Sequence, residues 1–228
     1  MAGNVLGDTL VTGELSFGDS ATVSGFPASA LTNASIASTA AIARTKLAQD
    51  TDQEFIIPFT ELRVHDALTS LLPSSAGTDD LGLLSGTFGT DAPTVTAGDL
   101  KAAGSTTRYA RFLFGMPAEY DDNETVKIRC KAGMETTVAD TSCVLDVEAY
   151  LWSEDGTLNG SPTDLYTGAT QSMNSLTSAN LDYQLTSTSL VSGSIIDVRI
   201  AVICNDGATG TAVTPSIYNV SVLCDIRG

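Results

Sequence analysis

The sequence predicts an all-β fold: an antiparallel, jelly-roll-like β-sandwich over residues 51–228, preceded by an extended N-terminal arm, residues 1–50, of short β segments and turns. Three observations predict it. Apolar residues alternate with polar ones over runs of about ten residues, the period of a half-buried strand. Glycine- and asparagine-rich turns separate those runs, and no helical periodicity intervenes. The charge also breaks near residue 50: residues 1–50 hold two cations and four acids, whereas residues 51–228 hold nine cations and 23 acids. Strong acidity confined to the second part marks it as the globular surface.

Along the arm, GDTLVTGELSFGDSATVSG alternates β-formers with turns at Gly7, Gly13, Gly18 and Gly25. Each piece is too short to form a sheet alone and requires another surface. PASALTNASIASTAAIARTKLAQD follows, where serine and threonine compete with the backbone and limit helix to short turns. A flexible linker is the plain reading. Ile36, Ile42 and Leu47 as apolar anchors, with Arg44 and Lys46 beside them, are more than a spacer needs. The segment is therefore expected to bind a partner.

In the second part, Phe55, Ile57 and Phe59 share a parity, and Pro58 marks an edge or a bulge. A loop-rich stretch, LLPSSAGTDDLGLLSGTFGTDAPTVTAG, leads to TTRYARFLFGM, where Ala110, Phe112, Phe114 and Met116 face one way. Further strands are expected over 124–133, 143–153, 181–187, 194–204 and 216–226. DDNE at Asp121–Glu124 and NDGATG at Asn205–Gly210 are turn chemistry. The LVSGS step precedes a long buried strand.

Parity also places the four cysteines. Cys130 is in phase with Val126 and Ile128; Cys143 with Leu145, Val147, Ala149 and Leu151; Cys204 with Ile196 to Val202; Cys224 with Tyr218, Val220 and Val222. All four read as reduced core thiols, with a bridge between neighbouring core strands as the alternative. No CxxC pair suggests zinc.

Composition excludes several functions. Eleven Lys and Arg against 27 Asp and Glu oppose a broad grip on nucleic acid or on an anionic membrane. No window approaches the roughly 18 apolar residues of a spanning helix, and the first residues lack the pattern of a signal peptide. Assembly in the cytosol is expected. Walker, GxGxxG, GxSxG and DxDxDG patterns are absent. The single histidine, His65, stands beside Asp66. A catalytic dyad is one reading of that pair; a hydrogen-bonded histidine at a strand end is the plainer one. The acidic groups Asp79–Asp80, Asp121–Asp122–Glu124 and Glu154–Asp155 read as solvated turn acids; a structural Ca²⁺ in one of them is possible chemistry but is not predicted. No catalytic residue, cofactor or metal site is therefore assigned. Trp152, with Tyr150, falls on the outward parity beside a polar loop, suited to a subunit interface or a sugar platform.

A glycine-punctuated β start, then LTNASIASTAAIARTKLAQD, then an acidic sandwich without catalytic motifs resembles virion structural proteins of tailed bacteriophages, of the capsid-decoration or head- or tail-fibre type. AIARTKL, Ala41–Leu47, looks like the junction between short N-terminal repeats and a globular head, and FTELRVHDALTSLLPSSAGTDDLGL looks like the start of that head. The resemblance implies a virion location and a homo-oligomer, most often a trimer. The function expected is a non-enzymatic surface protein, cement or fibre. It would attach through its arm to the major capsid protein or another virion protein, without contact to nucleic acid or membrane. The alternative is a tail-fibre or spike tip whose loops 153–166 and 205–213 bind a host receptor or glycan.

Overall fold

The computed structural model describes residues 52–101, 104–152, 163–207 and 210–226. The predicted arm, with Ile36, Ile42, Arg44, Lys46 and Leu47, lies outside the described residues, as does most of the loop after Trp152.

Twelve strands make up the described chain: β1 (Asp52–Ile56), β2 (Arg63–Val64), β3 (Ala67–Leu71), β4 (Gly82–Leu84), β5 (Thr94–Thr96), β6 (Gly104–Gly115), β7 (Val126–Met134), β8 (Ser142–Trp152), β9 (Gln171–Ser172), β10 (Ala179–Gln184), β11 (Ile195–Asp206) and β12 (Pro215–Asp225). Sheet I runs β10-β7-β12-β5-β4, with β1 also paired to β12; sheet II runs β3-β2-β6-β11-β8-β9. Every ladder within them is antiparallel. The fold is an all-β antiparallel sandwich. No helix among the described residues is long and apolar enough to cross a membrane.

Period-2 patterning builds the core. Along β11, Ile196, Val198, Ile200, Val202 and Cys204 are buried, and β8 answers with Cys143, Leu145, Val147 and Ala149. On β6, Ala110 and Phe112 are buried and, in sheet I, so are Val126, Ile128 and Cys130 of β7. Each large apolar side chain so buried contributes about 1.5–3 kcal/mol. Two contacts tie the sheets together. The Tyr183 hydroxyl of β10 donates to the Leu145 carbonyl of β8 at 2.8 Å, and the Phe55 and Phe114 rings meet at 5.8 Å with planes inclined by 55°.

The expected long strands are present within a few residues of their predicted bounds, and all four cysteines are buried free thiols. Three expectations need correction. Tyr218 was placed in phase with the core, but a register shift between Ile217 and Asn219 inserts a bulge, so Ile217 is buried and Tyr218 only half-buried. Leu151 is 38 % exposed although Ile196 opposite it is fully buried; β9 pairs with β8 only at Val144 and Leu145, so among the described residues no strand flanks β8 at Leu151 on that side. The stretch read as loop between residues 71 and 99 contains β4 and β5, each three residues long and too short to show a period.

The acidic turn at Asp121–Glu124 is structural. Asn123 takes the left-handed conformation (φ 67°), and Asp122 Oδ1 accepts the Ser192 amide at 2.8 Å. Beside it the buried Tyr120 hydroxyl donates to the Glu124 carbonyl at 2.6 Å, and burial pushes that phenol up to about 12.

Candidate functional site

The outward parity of the three central strands of sheet II carries ionic and aromatic side chains where a solvated sheet would carry small polar ones. Register sets Glu148 opposite Arg199, Arg199 opposite Arg111, and Arg111 opposite Arg63. Four long side chains therefore form one row across β8, β11, β6 and β2. The next row places Tyr150 opposite Asp197 and Asp197 opposite Leu113. On the other side Ala201 stands between Asp146 and Tyr109. A small residue at that centre lowers the floor between two larger neighbours.

Ion pairs hold the floor rigid. Arg111 Nε donates to Asp197 Oδ1 at 2.7 Å, its Nη2 donates to Asp197 Oδ2, and its Nη1 donates to the His65 carbonyl at 3.3 Å. This is the bidentate fork that Arg makes with a carboxylate. The Asp197 hydrogen bonds hold the Arg111 guanidinium above its ordinary range, against the opposing effect of burial. Arg199 Nη2 donates to Glu148 Oε2, and the Arg199 guanidinium lies 4.8 Å from the centroid of the Tyr109 ring. The His65 ring meets the same tyrosine at 4.6 Å, inclined by 37°.

His65, Arg111, Glu148, Tyr150, Asp197 and Arg199 line a cleft of about 360 Å³ on this face. A second cleft of about 320 Å³ beside Arg63 and Leu113 is more apolar, with Ile57, Pro58 and Leu68 in its wall. Burial, with the neighbouring Glu148 and Asp164 charges, raises the Tyr150 phenol. Burial likewise raises the Asp146 carboxyl. Tyr150 therefore stays a neutral hydroxyl, able both to donate and to accept.

The sequence placed Tyr150 and Trp152 outward, and both are: Tyr150 lines the cleft, while Trp152 stands 41 % exposed two residues further along β8, outside the cleft lining. His65 lies between β2 and β3, as a hydrogen-bonded histidine at a strand end. Its ring partner is Asp80, Nδ1 to Oδ1 at 3.2 Å. His65, Asp66 and Asp80 each offer a ligand atom within 4.8 Å of the others, a donor set suited to a divalent cation. No thiol joins them, because all four cysteines are in the core. Burial pushes Cys130 up to about 12 and Cys224 up to about 11, so neither supplies a thiolate near neutrality.

Tyr109, Arg111, Glu148, Asp197 and Arg199 were not singled out from sequence. The signal was present: SIIDVRIAVIC sets Asp197 and Arg199 on alternate positions of an otherwise apolar strand, where β-propensity disfavours a charge.

No protein-family model and no curated protein matches the chain. Solved structures similar to it include the xylan-binding module CBM15, with 15 % identity over 78 % of this chain and 99 % of that one and a TM-score of 0.39. Another is the CBM22-1 xylan-binding domain of Paenibacillus barcinonensis Xyn10C, with 10 % identity over 65 % and 82 % and a TM-score of 0.37. A third is the enzymatically active domain of tailspike protein 4 of bacteriophage CBA120, with 10 % identity over 64 % and 18 % and a TM-score of 0.33. The fold assignment rests on the strand pairing described above, to which these distant likenesses add no argument.

Proposed function

We propose that the protein is a non-enzymatic surface module of a tailed-phage virion, attached through residues 1–50, whose sandwich binds a neutral carbohydrate on the outer face of sheet II. One observation carries the binding half of this reading. The two arginines of the cleft are each neutralised by a carboxylate, Arg111 by Asp197 and Arg199 by Glu148, and Tyr150 flanks them. Such a floor offers many oriented donors and acceptors without net charge. A ligand dense in hydroxyl groups satisfies it, and an aromatic wall takes the apolar face of a sugar ring. An anionic ligand would have to displace Asp197 or Glu148 from its partner.

The attachment half rests on the sequence. The arm's Ile36, Ile42 and Leu47 supply apolar anchors, and Arg44 and Lys46 supply local positive charge in an acidic molecule. The partner proposed is the major capsid protein or another virion protein, and the assembly proposed is a trimer, which light scattering of the full chain reads directly.

A glycan array probed with the full chain tests the binding half. Signal on neutral oligosaccharides that disappears in Tyr150→Ala supports it; an array without signal refutes it. Deleting residues 1–50 tests the attachment half, with loss of particle binding expected and retained binding refuting it.

A further inference from the structure

Cys143 stands near the start of β8 and Cys204 near the end of β11, and the antiparallel register sets them directly opposite one another. Both side chains take the inner parity and are fully buried. Directly opposed residues in an antiparallel ladder have Cα atoms about 4.5 or 5.5 Å apart, according to the kind of pair. Disulfides span Cα separations of about 4.4–6.8 Å, so either kind of pair is within bridging reach. The two thiols therefore face one another across the β8–β11 pair inside the core.

Cys130 and Cys224 have no such relation. They sit on β7 and β12 of sheet I, where Cys130 faces Val220 and Cys224 faces Val126. Four residues of strand, about 13 Å, separate them along the ladder. The fold therefore permits one bridge and leaves two thiols.

We propose that Cys143 and Cys204 are a modification site: they close a single intramolecular disulfide when the protein meets a disulfide oxidant such as oxidised glutathione, stapling the start of β8 to the end of β11. Either thiol can open the reaction; with Cys204 as the attacking thiol, Cys143 is the resolving one. The Cys204 sulfur bonds to one glutathione sulfur, the S–S bond of the oxidant breaks, and the first glutathione leaves as a thiol. Cys143 then attacks the protein sulfur of the mixed disulfide and releases the second glutathione. Two electrons pass to the oxidant, and the two protein thiol protons end on two glutathione molecules. Both sulfurs lie close to strand ends, where ladders open most readily, so the reaction proceeds without global unfolding.

The test uses the full wild-type chain, incubated with oxidised glutathione, then unfolded, alkylated and mapped by mass spectrometry. The expected result is a mass loss of about 2 Da before alkylation for the pair of S–H hydrogens, a linked Cys143–Cys204 peptide, and alkylation confined to Cys130 and Cys224. A rise in midpoint temperature of roughly 5–10 °C, reversed by dithiothreitol, accompanies it, because the bridge closes a long loop of the unfolded chain. To separate slow opening from lack of pairing, the incubation is repeated in mild urea. Four alkylatable thiols under both conditions, a bridge that includes Cys130 or Cys224, or a persistent glutathione adduct would each overturn the assignment.

Discussion

Arg199 sits with its guanidinium 4.8 Å from the centroid of the Tyr109 ring while its Nη2 donates to Glu148 on the strand at the other side. One side chain thus couples β6 to β8 across β11. His65 rests on the same ring, and Asp80 holds His65. The chain Asp80–His65–Tyr109–Arg199–Glu148 runs across the outer face of sheet II and fixes the cleft before any ligand arrives. Preorganisation of this kind lowers the ordering cost of binding.

Tyr109 is a positioning residue in this arrangement, since its ring is already engaged by His65 and Arg199. Tyr109→Phe keeps the ring and is expected to bind carbohydrate as the wild type does. Tyr109→Ala removes the stacking surface, worth about 0.5–1 kcal/mol at a partly exposed site, and should weaken binding by about two- to fivefold. Calorimetric titration of both variants measures the difference.

The Tyr183 hydroxyl spans the core from β10 to the Leu145 carbonyl. Tyr183→Phe retains the ring but removes this hydrogen bond, so a loss of about 0.5–1.5 kcal/mol is expected from urea denaturation with an unchanged m-value.

Alkaline pH should destabilise the fold through its buried acids. Tyr120 is raised to about 12, from an ordinary value near 10, by burial and by the neighbouring Cys224, Glu124, Asp122 and Asp121 charges. The folded state keeps this proton after the unfolded chain has lost it. The stabilising contribution is therefore full below about pH 10 and disappears as pH rises toward 12. Midpoint temperatures measured from pH 8 to pH 11.5 should fall above about pH 9, where the raised Cys130 and Cys224 thiols begin to add to the effect. Tyr120→Phe should flatten the part of the decline above pH 10.

Asp164 ties the end of the loop that follows β8 back to the sheet. Its Oδ1 accepts the amides of Ala149 at 2.9 Å and Tyr166 at 3.0 Å. Hydrogen bonds to a charged group contribute about 1.5–3 kcal/mol each. Asp164→Ala should cost about 2 kcal/mol or more in denaturant titration and speed hydrogen exchange at the Ala149 amide.

The long strands and the burial of all four cysteines were legible because a two-residue period survives in any strand with one wet face and one dry face. The bulge at Ile217–Asn219 was not, because a single inserted residue reverses parity without altering composition. Strands β4 and β5 were hidden by their length. The cleft was half legible. Tyr150 and Trp152 showed themselves as aromatics on the outward parity, but the arginine–carboxylate pairs depend on which strands become neighbours. Arg111 and Asp197 are 86 residues apart in sequence, and only the β6–β11 register brings them together. The partner of His65 was likewise hidden, because Asp80 lies 15 residues further along the chain and reaches the ring only in the fold.

Titration of the full chain with a neutral oligosaccharide selected from the array, at low and at high salt, tests the proposed carbohydrate-binding role of this face most directly. Because the arginines of the cleft are internally neutralised, the dissociation constant should change less than about twofold between 50 mM and 500 mM salt. Arg199→Ala and Tyr150→Ala should each weaken binding at least about tenfold, with midpoint temperatures close to the wild type. Binding that both substitutions leave intact, or that falls steeply with salt, would contradict a neutral carbohydrate held on the outer face of sheet II.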